Sequence, residues 1–195
     1  MKKSMPWIRC AGFLVGLAVI LGICDFCFAP SGYVRFILHE VNRKDTQYDT
    51  IILGASHARS AINPEYLDEE LGTNTLNLAI PGETVKDAYY LLKDACESND
   101  VKTVIMDVDY QYWMDEQPQG YFTEPFICQN ITNLKVKTEY LLDNWDTIDL
   151  RNVLVRRLSW DCTWSSVKQN ISTKMTEAYR EYSIEAAGAV SYTHL

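Results

Sequence analysis

The stretch "YDTIILGASHARSAINPEYLDEELG", residues 48–72, decides the fold. Thr50-Ile51-Ile52-Leu53 is a short, largely apolar run with no polar alternation, which predicts a strand buried on both faces, as in a parallel sheet. Gly54 ends the run and permits a sharp turn. Ser56 and His57 follow at once, where the chain leaves the strand. Asn63-Pro64-Glu65 then has the chemistry of a helix start: a capping side chain, a proline in the first turn and an acid near the positive helix end. Gly72 supplies the matching stop. Asp68, Glu69 and Glu70 read as a solvated helix face.

The same alternation continues downstream. Residues 75–80, "TLNLAI", predict a second strand ended by Pro81-Gly82. Thr84 with Asp87 forms a capping pair, and Val85, Ala88, Tyr89, Leu92 and Ala95 recur at helical spacing as an apolar face. Residues 101–108, "VKTVIMDV", predict a third strand. Strand and helix in strict alternation imply right-handed crossovers and a parallel sheet between helix layers. The expected fold class is therefore α/β: a three-layer α/β/α, flavodoxin-like sandwich with an incomplete parallel sheet, preceded by one transmembrane helix. After Asp109 the pattern changes to an aromatic-rich loop, residues 110–126, which either walls a substrate crevice or covers its own core. Residues 136–145, 147–160 and 173–187 predict amphipathic helices whose Lys and Arg form solvated faces.

The amino terminus carries the second strong signal. Cys10 to Ala29 contains one charge, Asp25, and at ~1.5 Å per residue it spans roughly 30 Å, one hydrocarbon core. Lys2, Lys3 and Arg9 precede it, and positive flanks stay on the cytoplasmic side, so the remainder is expected outside. Cys27-Phe28-Ala29 also offers a small-x-small cleavage site, leaving a cleaved signal peptide as the alternative to a retained anchor. The expected layout is 1–29 anchor or signal, 30–47 connector, 48–189 α/β domain, and 190–195 a foreign tail. Those last residues, Val190-Ser191-Tyr192-Thr193-His194-Leu195, match a translated transposon end used in preparing sequencing libraries, so the natural chain is expected to continue past this point.

Charge and cysteines narrow the classes of function. The net charge is −8, and the first 29 residues carry a local +2, leaving −10 on the rest. Such a domain repels phosphate backbones, so nucleic acid is not an expected partner. Cys96, Cys128 and Cys162 are widely spaced, no cysteine pair outside the apolar amino-terminal segment has metal-ligand spacing, and there is no histidine cluster, so no metal is expected.

Ser56 at a strand's carboxyl end has its hydroxyl placed toward the crevice where α/β proteins bind ligands, and backbone N–H groups there can hold an oxyanion. It reads as a nucleophile or as a turn residue. The run Ile52-Leu53-Gly54-Ala55-Ser56-His57, then Asn63-Pro64-Glu65, then Leu67-Asp68-Glu69-Glu70-Leu71-Gly72 and Asn77-Leu78, resembles the SGNH (GDSL-type) hydrolase superfamily in its membrane-anchored bacterial envelope branch. The likeness covers residues 48–112.

That resemblance implies a serine esterase or O-acyltransferase of the cell envelope. Its substrate would be an acylated glycan or glycopolymer, it would use no cofactor, and a membrane-bound acyltransferase is a compatible partner. By position, Ser56 is the nucleophile, and the backbone N–H groups of Gly82 and Ser56 form the oxyanion hole. Asp109 stands nearest the slot where the superfamily has an asparagine, and a carboxylate there opposes an oxyanion. His57 lines the site rather than serving as the base. The superfamily's Asp-x-x-His is missing, and His39 and His194 lie outside the motif, so the base is expected beyond the present end and this fragment is expected to be inactive. The alternative is a non-catalytic envelope-assembly or glycan-binding module, as in the D-alanyl-lipoteichoic-acid export and alginate-acetylation proteins that the chain also resembles.

Overall fold

A computed structural model describes residues 6–29, 33–108, 127–146, 148 and 163–175. Its elements in chain order are α1 (Pro6–Phe28), α2 (Tyr33–Glu40), β1 (Thr50–Leu53), α3 (Ser56–Ala61), α4 (Pro64–Leu71), β2 (Thr75–Asn77), α5 (Val85–Ser98), β3 (Thr103–Met106), α6 (Leu134–Asp143) and α7 (Val167–Met175). The aromatic loop 110–126, Asp109, Cys162, most of the helix expected over 147–160, and the tail with His194 lie outside the described residues.

The three strands form one parallel sheet in the order β2-β1-β3. Thr50 pairs with Thr75 on one side and with Thr103 on the other, and Leu53 reaches Met106. β1 is central and all four of its residues are buried, as its unbroken apolar run predicts. Its side chains alternate between two cores. Ile51 and Leu53 join the larger cluster with Leu38, Leu78, Leu91, Val136 and Tyr140, while Ile52 meets Ala58 and Ala79, with Ile62 and Leu67 packed beside them. Helical residues thus cover the sheet on both faces. Each fully buried Ile or Leu contributes roughly 1.5–3 kcal/mol over an exposed one.

The caps follow the sequence closely. Asn63 Oδ1 accepts from the Glu65 N–H at 3.0 Å, and Gly72 closes α4 with φ 67°. Thr84 and Asp87 form a reciprocal capping box at α5. β2 is shorter than expected, yet the chain stays alongside β1, with Leu78 N–H donating to the Ile52 carbonyl at 2.9 Å and Ile80 N–H to that of Gly54 at 3.1 Å.

Three readings are corrected. The buried face of α5 is not centred on Tyr89, which is 56% exposed; Tyr90 and Leu91 are buried instead. The reason is α6, which packs beside α5 and draws the two tyrosines inward. The Tyr140 hydroxyl donates to Asp87 at 2.7 Å, that of Tyr90 to Asp143 at 3.0 Å, and the rings meet edge to face at 5.2 Å. Residues 30–47, read as a connector, contain α2, whose Phe36, Ile37 and Leu38 are buried in the main core. Asp68 is not simply solvated: its carboxylate accepts from the Thr73 hydroxyl at 2.8 Å and the Thr75 N–H at 3.2 Å, fixing the start of β2.

α1 is apolar and exposed from Trp7 to Ile23, with Phe13, Leu14, Val15, Val19 and Ile20 all open. Trp7–Phe28 is long and apolar enough to cross a membrane. Cys96 is an exposed free thiol, and Cys128 is buried in the main core.

Candidate functional site

The carboxyl ends of all three strands meet around Gly54. Its φ of 145° lies where glycine is favoured, and its missing side chain makes room: an added Cβ would stand 2.6 Å from Asp107 Cβ and 2.8 Å from Ala58 Cβ. The chain then turns into α3, whose first residue is Ser56. Ala55 caps α3 without a side-chain hydrogen bond. Ser56 is exposed, and its hydroxyl hydrogen-bonds to none of the described residues. His57 beside it is also exposed and has a partner of its own.

Gly82 lies across the next loop, exposed, in a turn with φ 79° closed by Glu83 N–H donating to the Ile80 carbonyl at 3.0 Å. What joins the two loops is Glu83, 4% exposed. One carboxylate oxygen accepts from the Gly54 N–H and the other from the Ile80 N–H, both at 3.0 Å. The loop bearing Gly82 is thereby tied to the loop bearing Ser56. A second tie holds the far end of α3. Buried Asn77 donates to the Ala58 and Ile62 carbonyls at 3.1 and 3.3 Å and accepts from the Ala79 N–H at 3.0 Å. The buried Glu83 carboxylate and Asn77 amide are both satisfied, so the loops are held by bonds that would be costly to break.

Asp107 follows β3 and donates its N–H to the Leu53 carbonyl at 3.0 Å. Its Oδ2 is buried and has no hydrogen-bond partner among the described residues. A lone acceptor at a sheet's carboxyl edge is a candidate contact for a donor group on a ligand.

Of the residues expected at the site, Ser56 and His57 open α3, just after the Gly54 turn that Glu83 ties to the turn bearing Gly82, and Asp109 lies outside the described residues. Sequence reasoning missed Glu83 and Asp107 as site residues. For Glu83 the signal was an acid directly after Pro81-Gly82, and an acid next to a turn is ordinarily solvated. For Asp107 the signal was its two-residue offset from Asp109, which places both on one side of the strand's continuation. His39 is on α2 and lines a separate cavity with Asp25 and Arg35. Comparison with known proteins gave no matching family model, no matching curated protein and no matching solved structure.

Proposed function

We propose that this chain carries a flavodoxin-like α/β/α domain of the SGNH type, held outside the membrane by α1, and that Ser56 is its nucleophile. The strand order β2-β1-β3, all parallel, is the order with which the flavodoxin-like sandwich begins. The reaction is attack of the Ser56 hydroxyl on an ester carbonyl of an acylated envelope glycan or glycopolymer. An acyl-serine forms, the sugar hydroxyl leaves with a proton, and water or a second sugar hydroxyl then takes the acyl group. The N–H groups of Ser56 and Gly82 are assigned to the developing oxyanion. The base is not assigned to any residue of this sequence.

One observation carries the reading. Ser56 is an exposed, unengaged hydroxyl at the carboxyl end of the central strand, on a loop that Glu83 and Asn77 hold in place. A turn serine serving only the backbone would normally bond to it. The test is hydrolysis of p-nitrophenyl acetate by the product of the full-length gene. Ser56→Ala is expected to lower kcat/KM by at least about a hundredfold; an unchanged value overturns the assignment.

Asp107 favours a second reading. Close to Gly54, one of its carboxylate oxygens is unpaired among the described residues and suits a donor. A non-catalytic module binding sugar hydroxyls would use it that way. Glycan binding that survives Ser56→Ala but not Asp107→Ala, in a protein without esterase activity, supports that alternative.

A further inference from the structure

The carboxyl end of α1 is gripped by α7 and the residues just before it. Asn170 Nδ2 donates to the Cys27 and Ala29 carbonyls at 2.7 and 3.1 Å, and Lys174 Nζ donates to the Phe26 carbonyl at 2.6 Å and to that of Ala29. The Phe28 and Trp164 rings meet edge to face at 4.8 Å. An ammonium group on the last carbonyls also suits the negative end of the helix dipole. Residues 164–174 therefore hold the carboxyl end of α1.

Beside this grip opens a cavity of about 320 Å³, lined by Gly22, Asp25 and Phe26 of α1, by Arg35 and His39 of α2, and by residues 129–132. Arg35 and His39 are four residues apart and share one helix face. Arg35 is half-buried, and its guanidinium makes no hydrogen bond or ion pair with any described residue. A guanidinium carries five N–H donors in a planar fork suited to phosphate, and partial burial without an anion is costly. At Gly22 an added side chain would meet nothing within 4 Å, so the cavity is open there, on the side of the apolar helix.

Depth, charge and size then select the ligand. Gly22 to Phe26 lies in the last two turns of α1, which a bilayer-spanning helix places at headgroup level. Arg35 and Asp25 both line it, so the cavity carries a cation and a carboxylate. Its volume has room for a phosphoethanolamine headgroup.

We propose that this cavity binds the headgroup of a zwitterionic aminophospholipid, with the phosphate on Arg35 and His39, the ammonium toward Asp25, and the acyl chains leaving past Gly22 along α1. The site rests on α1 crossing the bilayer and is independent of the chemistry at Ser56.

The test is native mass spectrometry of the chain, α1 included, released from detergent micelles doped with phosphatidylethanolamine or phosphatidylglycerol. A parallel arm offers soluble phosphoethanolamine and inorganic phosphate. Wild type is expected to keep one phosphatidylethanolamine, and Arg35→Gln to weaken retention roughly tenfold or more. Gly22→Leu, which fills the mouth from the lipid side without touching the core, should displace the lipid at an unchanged circular-dichroism spectrum. Equal retention by wild type and both variants overturns the site. Equal retention of phosphatidylglycerol overturns the zwitterionic match. Binding of inorganic phosphate as tight as that of the lipid shows a free-anion site and overturns the lipid assignment. Should Arg35→Gln fail to fold, Gly22→Leu still decides.

Discussion

β1 and β3 have nearly the same sequence, Thr-Ile-Ile-Leu against Thr-Val-Ile-Met, and the same parallel direction, yet they live in different surroundings. Every residue of β1 is buried. In β3, Thr103 and Val104 are exposed and only Ile105 and Met106 are half-covered. β1 has a strand on each side and helices on both faces, whereas among the described residues β3 has β1 on one side only. An apolar tetrapeptide thus announces a strand, but its place in the sheet decides how much of it is buried. The ends of the two strands differ in the same sense. Beyond β1 the Gly54 N–H is matched by the Glu83 carboxylate; beyond β3 the Asp107 carboxylate keeps one oxygen unmatched.

The largest effect that can break this comparison is a truncation in the core. Ile51→Ala should cost about 2–5 kcal/mol in unfolding free energy, and Val104→Ala at the equivalent register position under ~1 kcal/mol. Equal losses in denaturant titrations would mean that β3 is as buried as β1. The next effect lies at the strand ends. Glu83→Gln replaces one of two acceptor oxygens with a donor facing an N–H group, and it should cost roughly 1–3 kcal/mol. Asp107→Asn removes no existing hydrogen bond of Oδ2 and should leave the melting temperature unchanged or raise it. A large loss for Asp107→Asn with none for Glu83→Gln would invert the assignment of the two carboxylates.

The smallest effect is on pH. Burial pushes the carboxyls of Asp87 and Asp94 on α5 up, while hydrogen bonds from Thr84 and Tyr140, and from Asn42 and Asn133, pull them down. A carboxyl raised in the folded state holds its proton more tightly there. Its contribution to stability is full below the ordinary range near ~4 and is lost as pH rises through the raised value. Asp49 behaves oppositely, because the Asn74 N–H and the Thr50 hydroxyl lower it, so its contribution fades on acidification. Thermal melts of Asp87→Asn should show a flatter decline than wild type between about pH 4 and 7. A steeper decline would mean that Asp87 is stabilised as the anion.

The strands, both caps of α4 and the capping box of α5 were legible in the sequence because each rests on local chemistry: an unbroken apolar run, Asn63 before Pro64, Gly72, and Thr84 with Asp87. The exposure of Tyr89 and the burial of Tyr90 were not, since they depend on α6, which joins α5 from over forty residues away. Ser56 was legible by its position after β1. The tie through Glu83 was not, because a carboxylate serving two backbone N–H groups looks in sequence like any acid beside a turn. The cavity beside α1 needed three separated segments and has no local signature at all.

The measurement closest to the central claim is fluorophosphonate labelling of the full-length gene product, with the modified peptide located by mass spectrometry. If Ser56 is the nucleophile, the label falls on the peptide containing Ser56 and is lost in Ser56→Ala. Labelling that is equal in wild type and Ser56→Ala, or that maps to another residue, would contradict it.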